Sequence, residues 1–248
     1  MGIAQQIRLL AETYETAAFL NGDPSWFMHQ VSGRENQELM AFIASCFSYG
    51  ARRQFMPKIQ TLLDDSGGHI SEWVKGREYT RLIADNDGCF YRLHTNSDAR
   101  QLLDRLADCC ERHGSLKALV AASATDRTTI AAIEALVKEF GGSIVPKSTQ
   151  SSCKRLCMFL RWMVRSGSPV DLGLWADIID RRTLIIPLDT HVMQQANRLH
   201  LISTRTASMR TARLLTAELA RIFPGDPLKG DFALFGYGIH QQTDSPAH

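Results

Sequence analysis

The sequence lacks three features that assign a protein class at once: a long apolar run, a paired-cysteine motif and a strong net charge. Charges interrupt the apolar positions every few residues, so no stretch approaches the roughly 20 apolar residues of a membrane-spanning helix. The six cysteines include no Cys-x-x-Cys pair, and they follow no secretory signal pattern. We therefore expect reduced thiols in a cytoplasmic protein that has no membrane partner, no metal, no cofactor and no iron–sulfur cluster.

The total charge names no partner. The 248 residues include 28 Lys or Arg and 26 Asp or Glu, which excludes a histone-like tail and argues against an acidic disordered segment. A hydrophobic content of 44% is that of an ordinary globular protein, with one sizeable core or two smaller ones.

The distribution of charge is more informative than the total. Residues 147–221 contain twelve Lys or Arg and five Asp or Glu, an excess of seven positive charges, so the rest of the chain carries a net charge of −5. A basic segment on a nearly neutral chain is what binding to a phosphate backbone requires. The alternative is a solvated helix face, since basic residues also serve solubility.

Apolar residues recur mainly at helical spacing, as in Leu39, Phe42, Ile43, Cys46 and Phe47. No convincing strand alternation competes with this pattern, so we expect an all-α protein. We interpret residues 1–248 as one unit of two helical subdomains, a central lobe over about 34–165 and a second lobe from about 1–33 and 166–248. Further helical stripes cover 96–114, 125–140, 153–165, 190–199 and 206–223.

Lys154 follows a helix-start signal. Ser151 and Ser152 precede an apolar-periodic run, which places Lys154 in the first helical turn. The unpaired backbone amides there carry partial positive charge that disfavours an ammonium, and only the neutral amine attacks carbon. The alternative is an ordinary solvated lysine.

Asp189 ends an apolar run directly before another helix. It is a natural N-cap, a role worth roughly 0.5–2 kcal/mol by itself. A carboxylate that is held at a helix start, with apolar residues behind it, also stabilises positive charge that develops on a substrate during a reaction. His191, two residues on, points either to the same cleft or into a partly buried polar environment.

The segments that contain Lys154 and Asp189 resemble motifs of known protein families. Leu-Asp-Thr-His-Val at 188–192, followed by Asn-Arg-Leu at 197–199, resembles a signature of the helix-hairpin-helix DNA glycosylases that include endonuclease III. The chain is still more similar to an uncharacterised bacterial family with a glycosylase-like fold, whose members have the segments found here at 153–165, 187–192 and 231–236. The resemblance implies a glycosylase-like fold with two helical subdomains around a cleft.

The resemblance also implies a function, base-excision repair of duplex DNA with a damaged base such as oxidised guanine. Lys154 corresponds to the Schiff-base lysine of the superfamily, and Asp189 to its acidic partner. The chain is then a DNA glycosylase and abasic-site lyase that acts on an extruded nucleotide. Two alternatives stay open: a non-catalytic nucleic-acid-binding protein with this fold, and a helical enzyme acting on a small nucleoside or nucleotide.

The sequence departs from the superfamily pattern at several points. The Gly-x-Gly hairpin that binds a DNA phosphate is missing, and Gly141-Gly142 lies too far before Lys154 to replace it. Lys154 and Asp189 are 35 positions apart because of an insertion at 166–182. The four-cysteine cluster of endonuclease III is absent.

Besides the catalytic candidates Lys154 and Asp189, two further groups are predicted. The candidates for DNA contact are Arg52, Arg53, Lys147, Ser151, Ser152, Arg155, Arg161 and His191. The candidates for base stacking are Phe159, Trp162 and Trp175, although aromatic residues at helical spacing are more often core residues.

Overall fold

The computed structural model describes the backbone of residues 2–243 and the side chains of residues 2–238. This part of the chain is mostly helical, which confirms the all-α prediction. We find no helix in it that combines the length and hydropathy needed to span a bilayer. The α-helices are α1 Ile3–Tyr14, α2 Arg34–Phe47, α3 Arg52–Asp65, α4 Ile70–Lys75, α5 Asn96–His113, α6 Leu116–Ser123, α7 Thr129–Phe140, α8 Lys154–Val164, α9 Thr190–Arg198, α10 Met209–Ile222 and α11 Lys229–Thr243. Short 3-10 helices cover Ala17–Leu20, Pro24–His29, Glu78–Thr80 and Arg181–Thr183.

A small β-hairpin departs from the purely helical expectation. Strands β1 (Cys89–Tyr91) and β2 (His94–Thr95) pair antiparallel. They are too short to show a periodic alternation in the sequence. The Tyr91 hydroxyl donates a hydrogen bond of 2.6 Å to the Tyr49 carbonyl, which fixes the hairpin to the end of α2.

The chain divides into two compact units. The terminal unit comprises the described residues up to Phe19 and from Gln150 onward, and the central unit comprises Leu20–Thr149. The division therefore falls near 20 and 150, which corrects the predicted boundaries at 34 and 165. Helix α8 joins the terminal unit because its buried side chains bind residues near both chain ends. Residues 1 and 244–248 of the predicted domain lie outside the described residues.

The central unit is built around α2, whose residues from Glu38 to Phe47 are all buried. The Glu38 carboxylate accepts hydrogen bonds from the backbone amides of Leu116 and Lys117 at 3.0 and 3.2 Å. A buried acid thus satisfies amide donors that the start of α6 leaves unpaired. The Phe42 and Phe140 rings pack at 4.8 Å and join α2 to α7.

The terminal unit is built around α11, which packs against α1 and α9. A Cβ atom at Gly236 would lie 2.2 Å from the Tyr14 ring, and one at Gly238 would lie 2.0 Å from His191 Nε2. The two glycines therefore allow α1 and α9 to approach α11 closely. Arg8 of α1 also donates to the Ile222 carbonyl at the end of α10 at 3.1 Å.

Candidate active site

Helix α8 begins at Lys154 from an unusual cap. Cys153 occupies the N-cap position with a φ of 45°, in the left-handed region, and provides no side-chain cap. The two serines thus mark the helix start without capping it. Instead, Ser151 Oγ accepts a hydrogen bond of 3.4 Å from the Cys153 amide. The left-handed backbone at Cys153 therefore lies directly before Lys154, the first residue of α8.

Helix α9 begins at Asp189 as predicted. Asp189 Oδ1 accepts a hydrogen bond of 2.8 Å from the Val192 amide, so the carboxylate is the N-cap of α9. The preceding residues, from Leu184 to Leu188, are buried. The Ile186 amide donates to Thr216 Oγ1 of α10 at 3.0 Å, which holds this segment beside α10. The carboxylate is therefore fixed in position on an apolar support.

Lys154 and Asp189 meet despite their separation in sequence. Lys154 Nζ lies 2.9 Å from Asp189 Oδ2, and the two side chains keep 37% and 32% of their surface exposed. This contact confirms the predicted approach of the two groups within the terminal unit. Burial acts to raise the pKa of the Asp189 carboxyl, but the Lys154 charge and the Val192 amide outweigh it, so the pKa is lowered from its usual value. The pair places the lysine side chain against an ionised carboxylate, and solvent reaches both.

His191 lies beside this pair and packs against α11. The histidine is half-buried, and its ring lies against the backbone of Gly238. The Phe235 ring is 6.5 Å from it, centroid to centroid. The contacts give His191 a packing role between α9 and α11, and its contact with DNA stays a prediction.

Arg161 is corrected from a DNA contact to a core residue. Its Nε donates to Asp171 Oδ1 at 3.2 Å, and its Nη1 donates to Asp231 Oδ2. Only 4% of Arg161 is exposed. Its guanidinium also lies 4.7 Å from the centroid of the Phe232 ring. These partners enclose the charge, so no surface of Arg161 is available to a phosphate.

The pairing of Arg161 belongs to a buried ionic network that the sequence patterns did not reveal. Arg165, the C-cap residue directly after α8, donates to both oxygens of Asp226 at 2.9 Å and to Glu15 Oε1 at 2.7 Å, and it also binds Asp171. Burial raises the pKa of Asp171, and the charges of both arginines oppose that shift. The one available signal was the four-residue spacing of two arginines on a helix with a strong apolar face. The network consists of Arg161, Arg165, Glu15, Asp171, Asp226 and Asp231, and the more exposed Arg181 lies 3.9 Å from Asp226 at its edge.

The three aromatic candidates for base stacking are also corrected. Phe159, Trp162 and Trp175 are completely buried. The Phe159 and Trp175 rings contact each other edge to face at 5.0 Å. The predicted insertion at 166–182 folds over the end of α8, where the Trp175 amide donates to the Met163 carbonyl at 2.7 Å. These rings form core and have no face open to a base.

The other predicted DNA contacts fall into both units. In the terminal unit Ser151 is exposed, and Ser152 and Arg155 are half-buried. In the central unit Arg53 and Lys147 are exposed, and Arg52 lies 3.4 Å from Asp23 as an ion pair. Their contact with DNA stays a prediction.

Comparison with known proteins assigns a family and no activity. Residues 23–240 match the family described as "Protein of unknown function (DUF2400)", and the chain belongs to that family. The expectation of an uncharacterised family is thereby confirmed, while membership of the helix-hairpin-helix superfamily stays a prediction. Neither the curated proteins nor the solved structures contain a match to the chain.

Proposed function

We propose that this member of the DUF2400 family is a base-excision DNA glycosylase with abasic-site lyase activity. The observation that carries the proposal is the contact of Lys154 Nζ with Asp189 Oδ2 at 2.9 Å. A primary amine is the nucleophile that forms a Schiff base, and a carboxylate beside it stabilises positive charge on the substrate. The exposure of both side chains leaves an extruded nucleotide a route to the pair.

The reaction begins with a damaged nucleotide turned out of the duplex. A proton leaves Lys154 to water, and the neutral amine attacks the anomeric carbon of the sugar. The bond from that carbon to the base breaks, and the base leaves with the bonding electrons and takes up a proton. The Asp189 carboxylate faces the positive charge that develops on the sugar.

Covalent chemistry then continues on the sugar. Opening of the sugar ring converts the lysine adduct into a Schiff base, with the ring oxygen taking up a proton. A proton then leaves C2′ to water, its bonding electrons form a C2′–C3′ double bond, and the 3′ phosphate leaves with the electrons of the C3′–O bond, which cuts the strand. Water finally hydrolyses the Schiff base and releases the lysine. The Schiff base is the species that borohydride reduces to a stable amine, so a protein–DNA adduct reports on this step.

The experiment is borohydride trapping on duplexes that carry oxidised guanine, uracil or an abasic site. We expect a trapped adduct and strand scission with the wild-type chain on at least one of these, and neither with Lys154→Gln. Asp189→Asn should retain its fold, because asparagine also caps a helix, but lose activity by roughly 10²–10³-fold. Lys229→Gln is the matched control, since Lys229 is exposed in the same unit and contacts neither residue of the pair.

Three outcomes separate this proposal from its alternatives. If Lys154→Gln is trapped as well as the wild type, the nucleophile lies elsewhere, and Lys147→Gln is the next variant to test. If the wild type binds duplex DNA but is trapped on none of the three lesions, a non-catalytic binding protein is favoured. If it ignores DNA and releases base from a free nucleoside, it is a small-molecule enzyme.

A further inference from the structure

The longest stretch of the terminal unit without an acidic residue carries arginines that are not among the predicted DNA contacts. No acidic residue occurs between Asp189 and Glu218. Arg205, Arg210 and Arg213 of this stretch are exposed. Their side chains make no hydrogen bond or ion pair with any other described residue. These three side chains, which we call the arginine cluster, carry charge that no group of the described residues neutralises.

Arg205 projects from a loop that is held on both sides. On one side, Asn197 Nδ2 donates to the Thr204 carbonyl at 2.8 Å, and the Thr204 amide donates back to Asn197 Oδ1 at 3.2 Å. On the other side, Thr211 Oγ1 donates to the Thr206 carbonyl at 2.7 Å. A loop fixed in this way presents an arginine with little loss of backbone entropy on binding.

Arg210 and Arg213 lie on the exposed face of α10, which also carries Arg221 near its other end. A spacing of three residues puts them on the same side of the helix. Arg221, at the other end of this helix, is paired with Glu218 at 2.7 Å. The first half of the helix surface therefore carries unpaired positive charge, and the second half is locally neutral.

The arginine cluster begins next to the segment that leads into Lys154. Ser151 and Ser208 form an isolated antiparallel β-bridge, and the Met209 amide contacts the Gln150 carbonyl at 3.5 Å. Lys154 is three residues beyond Ser151, and Arg210 is two residues beyond Ser208. The backbone thus brings the start of α10 beside the approach to the candidate nucleophile.

We infer that the arginine cluster binds the phosphate backbone of duplex DNA beside the nucleotide that reaches Lys154. The inference rests on the proposed function in naming DNA as the partner. Arginine is suited to phosphate because its planar guanidinium donates two parallel hydrogen bonds. Three such contacts replace, on a different element, the phosphate binding that the missing Gly-x-Gly hairpin would provide.

The test measures the salt dependence of binding to an undamaged duplex by fluorescence anisotropy, with the full chain. Each phosphate contact contributes about 0.9 to the slope of log affinity against log salt, so the triple variant Arg205→Gln, Arg210→Gln, Arg213→Gln should lower the slope by about 3. Arg221→Gln removes the same kind of charge from the same helix and should leave the slope unchanged. Far-ultraviolet circular dichroism checks that each variant is folded.

The inference and the proposed function fail separately. If the salt slope of the triple variant falls as expected but no lesion is trapped, DNA binding by the arginine cluster is supported and the Schiff-base chemistry is refuted. If lesions are trapped but the triple variant keeps the wild-type slope, the inference is overturned alone. It is also overturned if the wild type does not bind duplex at low salt, or binds a single strand or anionic vesicles more tightly than duplex.

Discussion

Replacing Arg165 with methionine should destabilise the terminal unit far more than the same change at Arg221. The Arg165 side chain is 2% exposed and bonds to three carboxylates, whereas 75% of the Arg221 side chain is exposed and it bonds to one. Methionine keeps an unbranched apolar stem and removes the charge. The comparison therefore isolates the ionic interactions from most of the packing.

The expected loss of folding stability depends on which buried carboxylates the substitution leaves without a partner. Removing one partner of a buried ion pair costs about 3–5 kcal/mol, because the other charge stays buried and uncompensated. Asp171 retains Arg161 as a partner and Asp226 retains Arg181, 3.9 Å away, while Glu15 is 10% exposed and regains some water. We therefore expect a loss near the lower limit, about 3 kcal/mol. An exposed pair such as Arg221 with Glu218 is worth about 0–1 kcal/mol.

The assay is equilibrium unfolding in urea, followed by tryptophan fluorescence and circular dichroism. Trp162 and Trp175 report on the terminal unit, in which both are buried. Adding Glu15→Gln to Arg165→Met should recover part of the loss of stability, because Glu15 has no ionic partner besides Arg165 among the described residues and its charge is then left unpaired. A loss for Arg165→Met no larger than that for Arg221→Met, or no recovery in the double variant, refutes the reasoning.

Further predictions concern a thiol, a glycine and a titration. A thiol reagent should modify exposed Cys89 first, by mass spectrometry, while burial raises the pKa of Cys109 to about 12 and keeps it unreactive in the native state. Gly236→Ala should lower the urea midpoint despite the higher helix propensity of alanine, because the new Cβ would lie 2.2 Å from the Tyr14 ring and overpacking costs about 1–3 kcal/mol. The pKa of Asp189 is lowered below its usual value of 3.8, so its ionised carboxylate stabilises the folded state above that pH, and this stabilisation is lost as pH falls through the folded-state pKa. The difference in stability between wild type and Asp189→Asn, measured by urea unfolding, should therefore narrow as pH falls below about 3.8.

Local patterns predicted six of the helices, namely α2, α5, α7, α8, α9 and α10, and the cap at the start of α9, because their causes are local. The apolar spacing in α2 and the cap at Asp189 each depend on residues within one or two turns. The approach of Lys154 to Asp189 is different, because 35 positions separate them and no local interaction brings them together. It was predicted through a resemblance to proteins in which two such helix starts meet.

The same limits explain the residues that were misassigned. Arg161 looked like a surface cation because the partner Asp231 lies 70 positions away. Phe159 and Trp162 occupy the apolar face of α8, where helical spacing alone does not separate a core ring from a stacking ring. The hairpin at Cys89–Thr95 was missed because its strands contain too few residues for an alternation to appear.

The excess of seven positive charges in residues 147–221 shows why a count along the chain misidentifies which cations are available. Glu15, Asp226 and Asp231 all lie outside that window, yet they neutralise Arg161 and Arg165 inside it. A long-range fold brings acids to basic positions that look unopposed in the sequence, and burial makes those pairs structural. The positive charge that is left to bind a phosphate then lies where none of the residues described by the structure supplies an acid, on the exposed stretch that contains Arg205, Arg210 and Arg213. Nucleic-acid binding predicted from local charge is therefore best tested at these unpaired positions, with the arginines of the buried network kept as measures of stability.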